Sequence, residues 1–380
     1  MNVFIIPAWH PTPEKPNWCN WIKPHIEMAK AVCSNVTVLQ VDLESNTNNE
    51  DILKLNENHY YISAGNKKNK FHRTKLFYGK ILNNYIVKLE KLFLNAIEIN
   101  GKPDLIHAHV SMPAGYGAAF IGKKYDIPVI VTEHYSGFFS DIKYPWRIGK
   151  FYKKMRTMID GFYVVSPGYA KRIKNKSKIE VDGVLTNPVN TQLFKMDNSH
   201  EKGDVLHLVS TGTIGKIKGT DLFLKALKLL PDTLNWKLTL IGKQPSKNLT
   251  YWQVLIKSIP EKKIKLISFL TQEELKTVYS NSDIYIVSSR IETANVSMLE
   301  AMACGCYVIT SRIDAPETLV TNEVSETFNN TPEGLAQAII NVSQKKMPDR
   351  ETLRNFVIEN YSYKALEQKL INVYEKHCRK

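Results

Sequence analysis

Cysteine is scarce in this sequence, and long apolar runs are missing. The 380 residues include 5 cysteines, an odd number without regular spacing, which argues against a disulfide framework and indicates a reducing compartment. No stretch approaches the roughly 20 apolar residues of a membrane-spanning helix. The apolar run at Val3–Ile6 is too short for a signal peptide. We therefore expect a cytoplasmic protein without a membrane span.

The sequence also has no evident metal site. Cys304 and Cys306 form a Cys-x-Cys pair inside an apolar helix-to-strand stretch, which favours small core residues over metal ligands. His107 and His109 lie on a predicted strand, and we expect their side chains to diverge rather than to share a zinc ion. The prediction is that the protein binds no metal.

Acidic residues are under-represented in the first half of the chain. The formal net charge is +14, and residues 1–195 hold 27 Lys and Arg against 16 Asp and Glu. This surplus favours an anionic partner, namely a membrane surface, a phosphorylated acceptor or a nucleic acid. A solvated basic surface would have the same composition.

The remaining composition is that of a soluble two-domain protein, with 43% apolar and 23% charged residues. Strand-like runs alternate with helical patterns in both halves, which is typical of an α/β fold. We predict a first domain at 1–196 and a second at 204–361, joined by a polar segment without periodicity. Residues 44–72 are predicted to be a solvated excursion. Residues 362–380 are predicted to form a final helix with Ser362 as its N-cap.

The most informative stretch follows the apolar run Ile284–Val287, which is predicted to be a buried parallel strand. Glu292 and Glu300 bracket the start of a predicted helix, and eight residues at the helical rise span roughly 12 Å. The free N–H groups of the first helical turn, near 294–296 (Ala294, Asn295 and Val296), would favour an anion such as a diphosphate. A ligand with hydroxyls at both ends and a diphosphate between them is a nucleotide sugar.

A second anion-binding loop is predicted after the strand that begins at Leu206. The loop carries Gly212, Thr213, Lys216 and Lys218, and a helix follows it. A strand, a loop with glycine and lysine, and a helix together can cradle a phosphate group. The loop is not a P-loop, because it lacks the Ser or Thr that binds magnesium, and it lacks the glycine spacing of a dinucleotide fingerprint.

In the first half, an apolar strand ends at Thr132, Glu133 and His134. Ligands of open α/β sheets lie at the carboxyl ends of the strands. His134 is therefore a candidate site residue, and the simpler interpretation is a polar residue that closes a strand.

The run from Glu292 to Glu300, with the Ala-Met-Ala-Cys-Gly that follows it, resembles the signature of the family-4 retaining glycosyltransferases. The resemblance implies the GT-B fold, which has two facing Rossmann-like domains with parallel sheets and a donor cleft between them. It also implies the site roles. Glu300 would bind ribose hydroxyls, Glu292 the sugar hydroxyls and Lys218 the diphosphate. His134 would approach the donor sugar, and Phe269 lies where relatives contact the nucleotide base.

Several features depart from the family pattern, and two of them concern the contacts with the diphosphate. Thr213 occupies the place of an arginine that holds the diphosphate, and Lys216 is the obvious substitute. The loop after the first strand has no glycine. An Asp-x-Asp motif is also missing from the sequence, so we expect a metal-independent reaction in which lysine and the helix N-terminus supply the positive charge.

The function implied by the resemblance is retaining transfer of a hexosyl or N-acetylhexosaminyl group from a nucleotide-diphosphate sugar. The donor favoured is a UDP-sugar over a GDP-sugar, with no further cofactor. The acceptor would be a hydroxyl of a glycan or a polyprenyl-linked molecule, in bacterial surface polysaccharide or glycolipid synthesis. The alternatives are a non-catalytic binder of an anionic glycan or lipid on the same scaffold, and a GT-B-like nucleotide-sugar epimerase.

A basic and aromatic run at 143–156 contains Trp146, Lys150, Lys153 and Lys154, and it has no acidic residue. Aromatic rings favour the lipid headgroup region, and each Lys or Arg near an anionic leaflet contributes about 1 kcal/mol. We predict peripheral binding at the inner face of the cytoplasmic membrane. A helix that packs its aromatics inward would have the same sequence, and nucleic acid is the less favoured partner.

Overall fold

The computed structural model describes residues 1–12, 14–15, 19–45, 48, 51–65, 75–138, 149–177, 179–197, 203–244 and 248–378, with the side chains of helix α2 (Lys75–Asn100) described from Tyr78 onward. The chain divides into two compact units. Unit 1 comprises Met1–Val165, Tyr169–Asn187 and Leu366–Lys380, and unit 2 comprises Ser166–Gly168 and Pro188–Ala365. Residues 198–202, in the predicted linker, lie outside the described residues.

Unit 1 is built on a sheet with the strand order β3-β4-β2-β1-β5-β6-β7-β8. Its neighbouring strands are parallel except for the antiparallel pair β3 and β4. The strands are β1 (Asn2–Pro7), β2 (Asn35–Asp42), β3 (Leu53–Asn56), β4 (His59–Ser63), β5 (Leu105–His109), β6 (Val129–Glu133), β7 (Gly161–Val164) and β8 (Gly183–Val184). The helices of this part of the chain are α1 (Lys23–Val32), α2, α3 (Tyr116–Tyr125), α4 (Lys150–Arg156) and α5 (Pro167–Ser177).

The structure corrects the prediction that 44–72 is a solvated excursion. Strand β4 lies within this stretch, pairs with β2 in parallel, and is buried along its whole length. Its apolar core is only Tyr60, Tyr61 and Ile62, and Asn- and Glu-rich residues flank it. The composition of the stretch hides this short run, because the polar flanks dominate it.

Unit 2 contains a parallel sheet with the strand order β11-β10-β9-β12-β13-β14. Its strands are β9 (Leu206–Thr211), β10 (Trp236–Ile241), β11 (Ile264–Ile267), β12 (Ile284–Val287), β13 (Tyr307–Ser311) and β14 (Ser325–Phe328). Its helices are α6 (Thr220–Leu227), α7 (Leu249–Lys257), α8 (Gln272–Ser280), α9 (Val296–Ala303), α10 (Pro332–Gln344) and α11 (Arg350–Tyr361). Strand β12 has the bounds predicted from its four apolar residues, and all four are buried.

The last helix, α12 (Tyr363–His377), contributes to the core of unit 1. Leu366, Leu370 and Tyr374 are buried there against residues of β1, β2, β5 and β6. The Oγ atom of Ser362 accepts a hydrogen bond of 3.1 Å from the backbone N–H of Ala365, which confirms the predicted N-cap. None of the described helices combines the length and the apolar character needed to cross a bilayer.

Candidate active site

The two loops predicted to bind an anion lie side by side in unit 2. Strands β9 and β12 are parallel neighbours in the sheet, and their carboxyl ends point the same way. The Oγ atom of Ser210 donates to the carbonyl oxygen of Ile286 over 2.9 Å, and the hydroxyls of Thr211 and Tyr285 lie 2.7 Å apart. The loops 212–219 and 288–295 therefore begin at one edge of the sheet, where ligands of such folds bind.

Lys218 and Glu292 meet at this edge. The Nζ atom of Lys218 lies 2.7 Å from Oε1 of Glu292, and the glutamate side chain is 8% exposed. The same Oε1 atom accepts hydrogen bonds from the Oγ of Ser289 over 2.8 Å and the Nδ2 of Asn295 over 3.2 Å. Three donors on one oxygen hold the carboxylate in a single orientation.

The loop 212–219, called the lysine loop below, forms further hydrogen bonds with the loop after β12. The Oγ atom of Ser288 donates to the carbonyl oxygen of Lys218 over 3.0 Å. Arg290 donates from its backbone N–H to the carbonyl of Ile217 over 2.8 Å and from Nη1 to the carbonyl of Lys216 over 2.6 Å. Its guanidinium also forms a bidentate pair with Asp221, at 2.7 and 3.0 Å. Arg290 is thus a positioning residue for the whole lysine loop.

One glycine allows the two loops to approach closely, and a second makes room within the loop 212–219. Gly219 has a φ of 65°, and a Cβ atom there would lie 1.8 Å from the carbonyl oxygen of Ser288. Gly212 has a φ of 130°, and a Cβ atom there would lie 3.3 Å from the Cε of Lys218. Both positions therefore favour glycine, for its backbone conformation and for the missing side chain.

Helix α9 begins at Val296, one residue after its N-cap Asn295. The Oδ1 atom of Asn295 accepts a hydrogen bond of 3.1 Å from the backbone N–H of Met298. One of the N–H groups at the helix N-terminus is therefore satisfied by the N-cap side chain. Ala294 is buried at 2% exposure, and it precedes the helix together with Glu292. The prediction that Glu292 lies at the start of the helix is therefore wrong, and the helical rise on which the estimate of roughly 12 Å was based applies only from Val296 onward.

Glu300 lies in α9 and is partly buried. Withdrawal from water raises the pKa of its carboxyl group to about 7. Burial raises the pKa values of the neighbouring Tyr279, Tyr285 and Cys304, and the charge of Glu300 raises them further. A carboxyl group with this pKa exchanges a proton near neutral pH.

Three further predicted residues of unit 2 are exposed. They are Thr213 and Lys216 in the lysine loop, and Phe269, which is 56% exposed just after β11. The backbone of Lys216 is fixed by Arg290, while its side chain extends from the loop surface. Whether Lys216 takes the place of the missing arginine stays a prediction.

His134 belongs to a group of aromatic side chains in unit 1. Its Nε2 atom lies 3.0 Å from Nδ1 of His109, and its ring centroid is 4.4 Å from that of Trp21 and 5.0 Å from that of His25. His25 is held in turn by Asn187, with 2.8 Å between Nε2 and Oδ1. The cluster lies at the carboxyl ends of β5 and β6, as the sequence predicts for His134.

The expectation that His107 and His109 diverge is wrong. Their ring centroids are 4.2 Å apart, because residues two positions apart in a strand share one face. The Nδ1 atom of His107 is hydrogen-bonded to the hydroxyl of Tyr374 over 2.9 Å, and its Nε2 atom to the hydroxyl of Thr132 over 2.8 Å. Among the described residues, no three His, Cys, Asp or Glu side chains are arranged to hold a metal ion.

Burial keeps these imidazoles neutral. It lowers the pKa of His25 to about 4 and that of His107 to about 3. The pKa values of His109 and His134 are also well below the ordinary value, since burial disfavours their charged forms and neighbouring imidazoles add to the effect. His134 is thus an uncharged imidazole at neutral pH.

The structure describes three of the four predicted membrane residues. Lys150, Lys153 and Lys154 lie on α4 and are exposed, whereas Trp146 lies outside the described residues. Phe151 and Tyr152, the aromatic residues of α4, are buried in unit 1 at 9% and 1% exposure. In α4 the aromatic rings therefore pack inward, whereas the three lysines face solvent.

Sequence reasoning did not find Ser289 or the pair formed by Arg290 and Asp221. The sequence marks Asp221 only as the start of a helix, and its partner is 69 positions away. The available signal was the location of Arg290 beside Glu292, in a loop that must face the lysine loop across two adjacent strands.

The chain belongs to the glycosyltransferases of group 1. The family model described as Glycosyl transferases group 1 matches residues 206–345. The model described as Glycosyltransferase Family 4 matches residues 58–193. The matched ranges cover both loops of the site in unit 2 and the histidine-bearing strands of unit 1.

The chain is similar to one of the subunits of human phosphatidylinositol N-acetylglucosaminyltransferase, with 23% identity over 332 residues. The alignment covers 83% of this chain and 64% of the human protein, so the chain spans less than two thirds of that relative. An uncharacterized glycosyltransferase of Methanocaldococcus jannaschii is 27% identical over 282 residues, which are 73% of this chain and 74% of that protein.

Solved structures show the same fold. The sucrose-phosphate synthase from Thermosynechococcus elongatus superposes with a TM-score of 0.79 at 16% identity, over 99% of both chains. The Anabaena protein HepE, solved in complex with UDP, gives a TM-score of 0.69 at 14% identity, over 99% of this chain and 100% of that chain. The fold is accordingly GT-B, with two α/β units whose sheets are parallel except for the β3–β4 pair of unit 1.

Proposed function

We propose that this chain is a retaining glycosyltransferase that uses a nucleotide-diphosphate sugar, with a UDP-sugar favoured as the donor. The observation that carries the proposal is the convergence of Lys218 and Glu292, 2.7 Å apart, at the carboxyl ends of two adjacent strands. Glu300 follows in the next helix. Membership of the group 1 glycosyltransferases supports this use of the site.

In the proposed reaction, the bond between the anomeric carbon and the diphosphate breaks while a bond to an acceptor hydroxyl forms. Lys218 stabilises the negative charge that develops on the leaving diphosphate. The acceptor proton passes to the leaving diphosphate, and the sugar is transferred with retention of configuration. No metal ion is needed in this scheme, because lysine and the start of α9 supply the positive charge.

Glu292 and Glu300 are proposed to hold the two ends of the donor. All hydrogen bonds to Glu292 within the described residues go to Oε1, so Oε2 is the atom proposed to accept from the sugar hydroxyls. Glu300 is proposed to accept from the ribose hydroxyls, and Phe269 to contact the base. The backbone of 294–296, with Gly212, Thr213 and Lys216, would line the diphosphate, and neutral His134 would contact the sugar.

The acceptor is proposed to be a hydroxyl of a glycan or of a lipid-linked molecule in the synthesis of a surface polysaccharide or glycolipid, at the cytoplasmic face of a membrane. The name of the human relative, a phosphatidylinositol N-acetylglucosaminyltransferase, is in keeping with a lipid acceptor and an N-acetylhexosamine donor. The exposed lysines of α4 are compatible with that location.

A second candidate is a non-catalytic binder, because Thr213 replaces an arginine that the resemblance leads one to expect. A third is a nucleotide-sugar epimerase with the same fold. A panel of UDP-, GDP- and ADP-sugars separates the three, with product analysis by NMR and Glu292→Gln as the control. Slow release of nucleoside diphosphate and free sugar supports the transferase. Binding without turnover supports the binder, and an isomerised donor sugar supports the epimerase.

A further inference from the structure

Unit 1 has an apolar groove that the donor site does not use. It has a volume of about 590 Å³ and is lined by residues of α2, α3 and α4, namely Gly79, Lys80, Leu82, Asn83, Tyr116, Lys150 and Phe151. Pockets of roughly 300–1,000 Å³ accommodate small ligands. The groove is therefore large enough for part of a lipid.

The wall of the groove is aromatic and aliphatic. Leu82 and Tyr116 are buried at 1% and 5% exposure, and the rings of Tyr116 and Phe151 meet edge to face with centroids 5.5 Å apart. Gly79 leaves space in the groove, since the nearest described atom to a Cβ there would be the Cζ of Phe151 at 3.8 Å. An apolar wall offers no favourable contact to a hydrated ion. A hydrocarbon chain that moves from water into the groove is stabilised, because its apolar surface leaves water.

The rim of the groove is basic. Lys80 and Lys150 belong to its lining. Lys154 lies one helical turn beyond Lys150, with its Nζ atom 4.8 Å from the centre of the Phe120 ring. The described lining has no carboxylate, and α4 contains no acidic residue. The charge of the rim thus selects an anionic amphiphile over a neutral one.

Apolar surface also continues outside the groove along α2. Asn83 lines the groove, and Val87, on the same face one turn further, is 65% exposed. Leu94, two turns beyond Val87, is 46% exposed. An exposed apolar row beside a basic rim matches the surface of an anionic bilayer better than a small soluble ligand, which would occupy the groove alone.

We propose that this groove receives one hydrocarbon chain of an anionic membrane lipid, whose headgroup lies against Lys80 and Lys150. The inference deepens the membrane part of the proposed function. Its test measures binding and not sugar transfer, so its failure would leave the donor chemistry standing.

The experiment compares sedimentation with phosphatidylcholine vesicles that contain one third phosphatidylglycerol and with vesicles of phosphatidylcholine alone. The wild type is expected to bind the anionic vesicles and to be released by salt. Gly79→Leu fills the groove and should weaken binding about tenfold, the equivalent of withdrawing roughly two methylene groups. Gly79→Ala adds one methyl group at van der Waals distance and should retain most of the affinity.

Charge variants complete the series. Lys80→Ser with Lys150→Ser should weaken binding about fivefold for each lysine. The matched control, Lys225→Ser with Lys228→Ser, removes the same charge from exposed positions of unit 2 and should bind like the wild type. Asn83→Trp fills the groove from an exposed position, and it replaces Gly79→Leu if that variant has a lowered melting temperature.

A lipid with a photoreactive group in its acyl chain should label peptides that contain Gly79, Tyr116 or Phe151. Absence of vesicle binding at low salt would overturn the proposal. Unchanged binding by Gly79→Leu and Asn83→Trp would also overturn it, because the contact would then involve surface charge alone. Binding of dodecyl phosphate without any binding of vesicles would identify a soluble amphiphile and reject the membrane lipid.

Discussion

The Nζ atom of Lys218 lies 2.7 Å from Oε1 of Glu292, although the two residues are 74 positions apart in the chain. Lys218 extends from the loop after β9 and Glu292 from the loop after β12. The glutamate is 8% exposed, and its Oε1 atom contacts this lysine and two neutral donors, Ser289 and Asn295. The pair couples the stability of unit 2 to the residues proposed to act on the donor.

Removal of the lysine alone should therefore lower the free energy of unfolding more than removal of both charges. Lys218→Met leaves the buried carboxylate without its cation and is expected to cost about 1–2 kcal/mol of unfolding free energy, since the lysine is partly exposed. Lys218→Met combined with Glu292→Gln should regain part of this loss. Urea unfolding measures both variants, and a double variant less stable than Lys218→Met would refute the coupling.

The ionisation of Glu300 should lower stability at neutral and alkaline pH. Its pKa is about 7 in the folded protein, above the ordinary value of 4.5, because the carboxyl group is withdrawn from water. Stability from this group is fully present below pH 4.5 and is lost as pH rises toward 7. Glu300→Gln should consequently melt at a higher temperature than the wild type at pH 8, with a smaller difference at pH 5. A lower melting temperature for Glu300→Gln at pH 8 would contradict this assignment.

Acid should destabilise unit 1 through its buried histidines. The folded pKa is about 4 for His25 and about 3 for His107, and it is also well lowered for His109 and His134. The unfolded chain binds these protons near pH 6.5, so stability falls as pH decreases from about 6.5 toward 4. A plot of the free energy of unfolding against pH should be less steep in His25→Asn than in the wild type, by about 1.4 kcal/mol per pH unit. Urea unfolding between pH 7 and 5 tests this, and an equally steep profile in the variant would rule out His25 as a contributor.

The lysine loop offers a test of the substitution at Thr213. If Lys216 supplies the charge of the missing arginine, Lys216→Ala and Lys218→Ala should each lower kcat strongly. The double variant should lose less than the product of the two effects, since both lysines act on one leaving group. Lys228→Ala, at an exposed position of the same unit, serves as the control. Full activity of Lys216→Ala would show that the charge comes from another group.

The parts of the fold that could be predicted are those encoded in contiguous apolar runs. Ile284–Val287 forms β12 with the predicted bounds, and Ser362 caps the last helix as expected. Strand β4 could not be predicted, because its three apolar residues are too few to outweigh the polar flanks. Local periodicity reports burial only where a segment is long enough to show a pattern.

Pairings between distant residues could not be predicted in the same way. The bond between Arg290 and Asp221 depends on the order of strands in the sheet, which no single stretch encodes. The pKa of Glu300 depends on how tightly α9 packs, and the neutral histidines depend on the contact of α1, β5 and β6. Sequence identified the residue types at the site, and the tertiary structure determined their charges.

The assignment of the donor site is tested most directly by calorimetric titration with UDP of the wild type, Glu300→Gln and Glu292→Gln, with GDP and ADP as comparison nucleotides. Glu300 is assigned to the ribose and Glu292 to the sugar, which UDP lacks. The prediction is that Glu300→Gln weakens UDP binding by about 1.5–3 kcal/mol, the value of one charge-assisted hydrogen bond, while Glu292→Gln binds UDP nearly as well as the wild type. Equal UDP affinity in the wild type and Glu300→Gln would contradict the assignment.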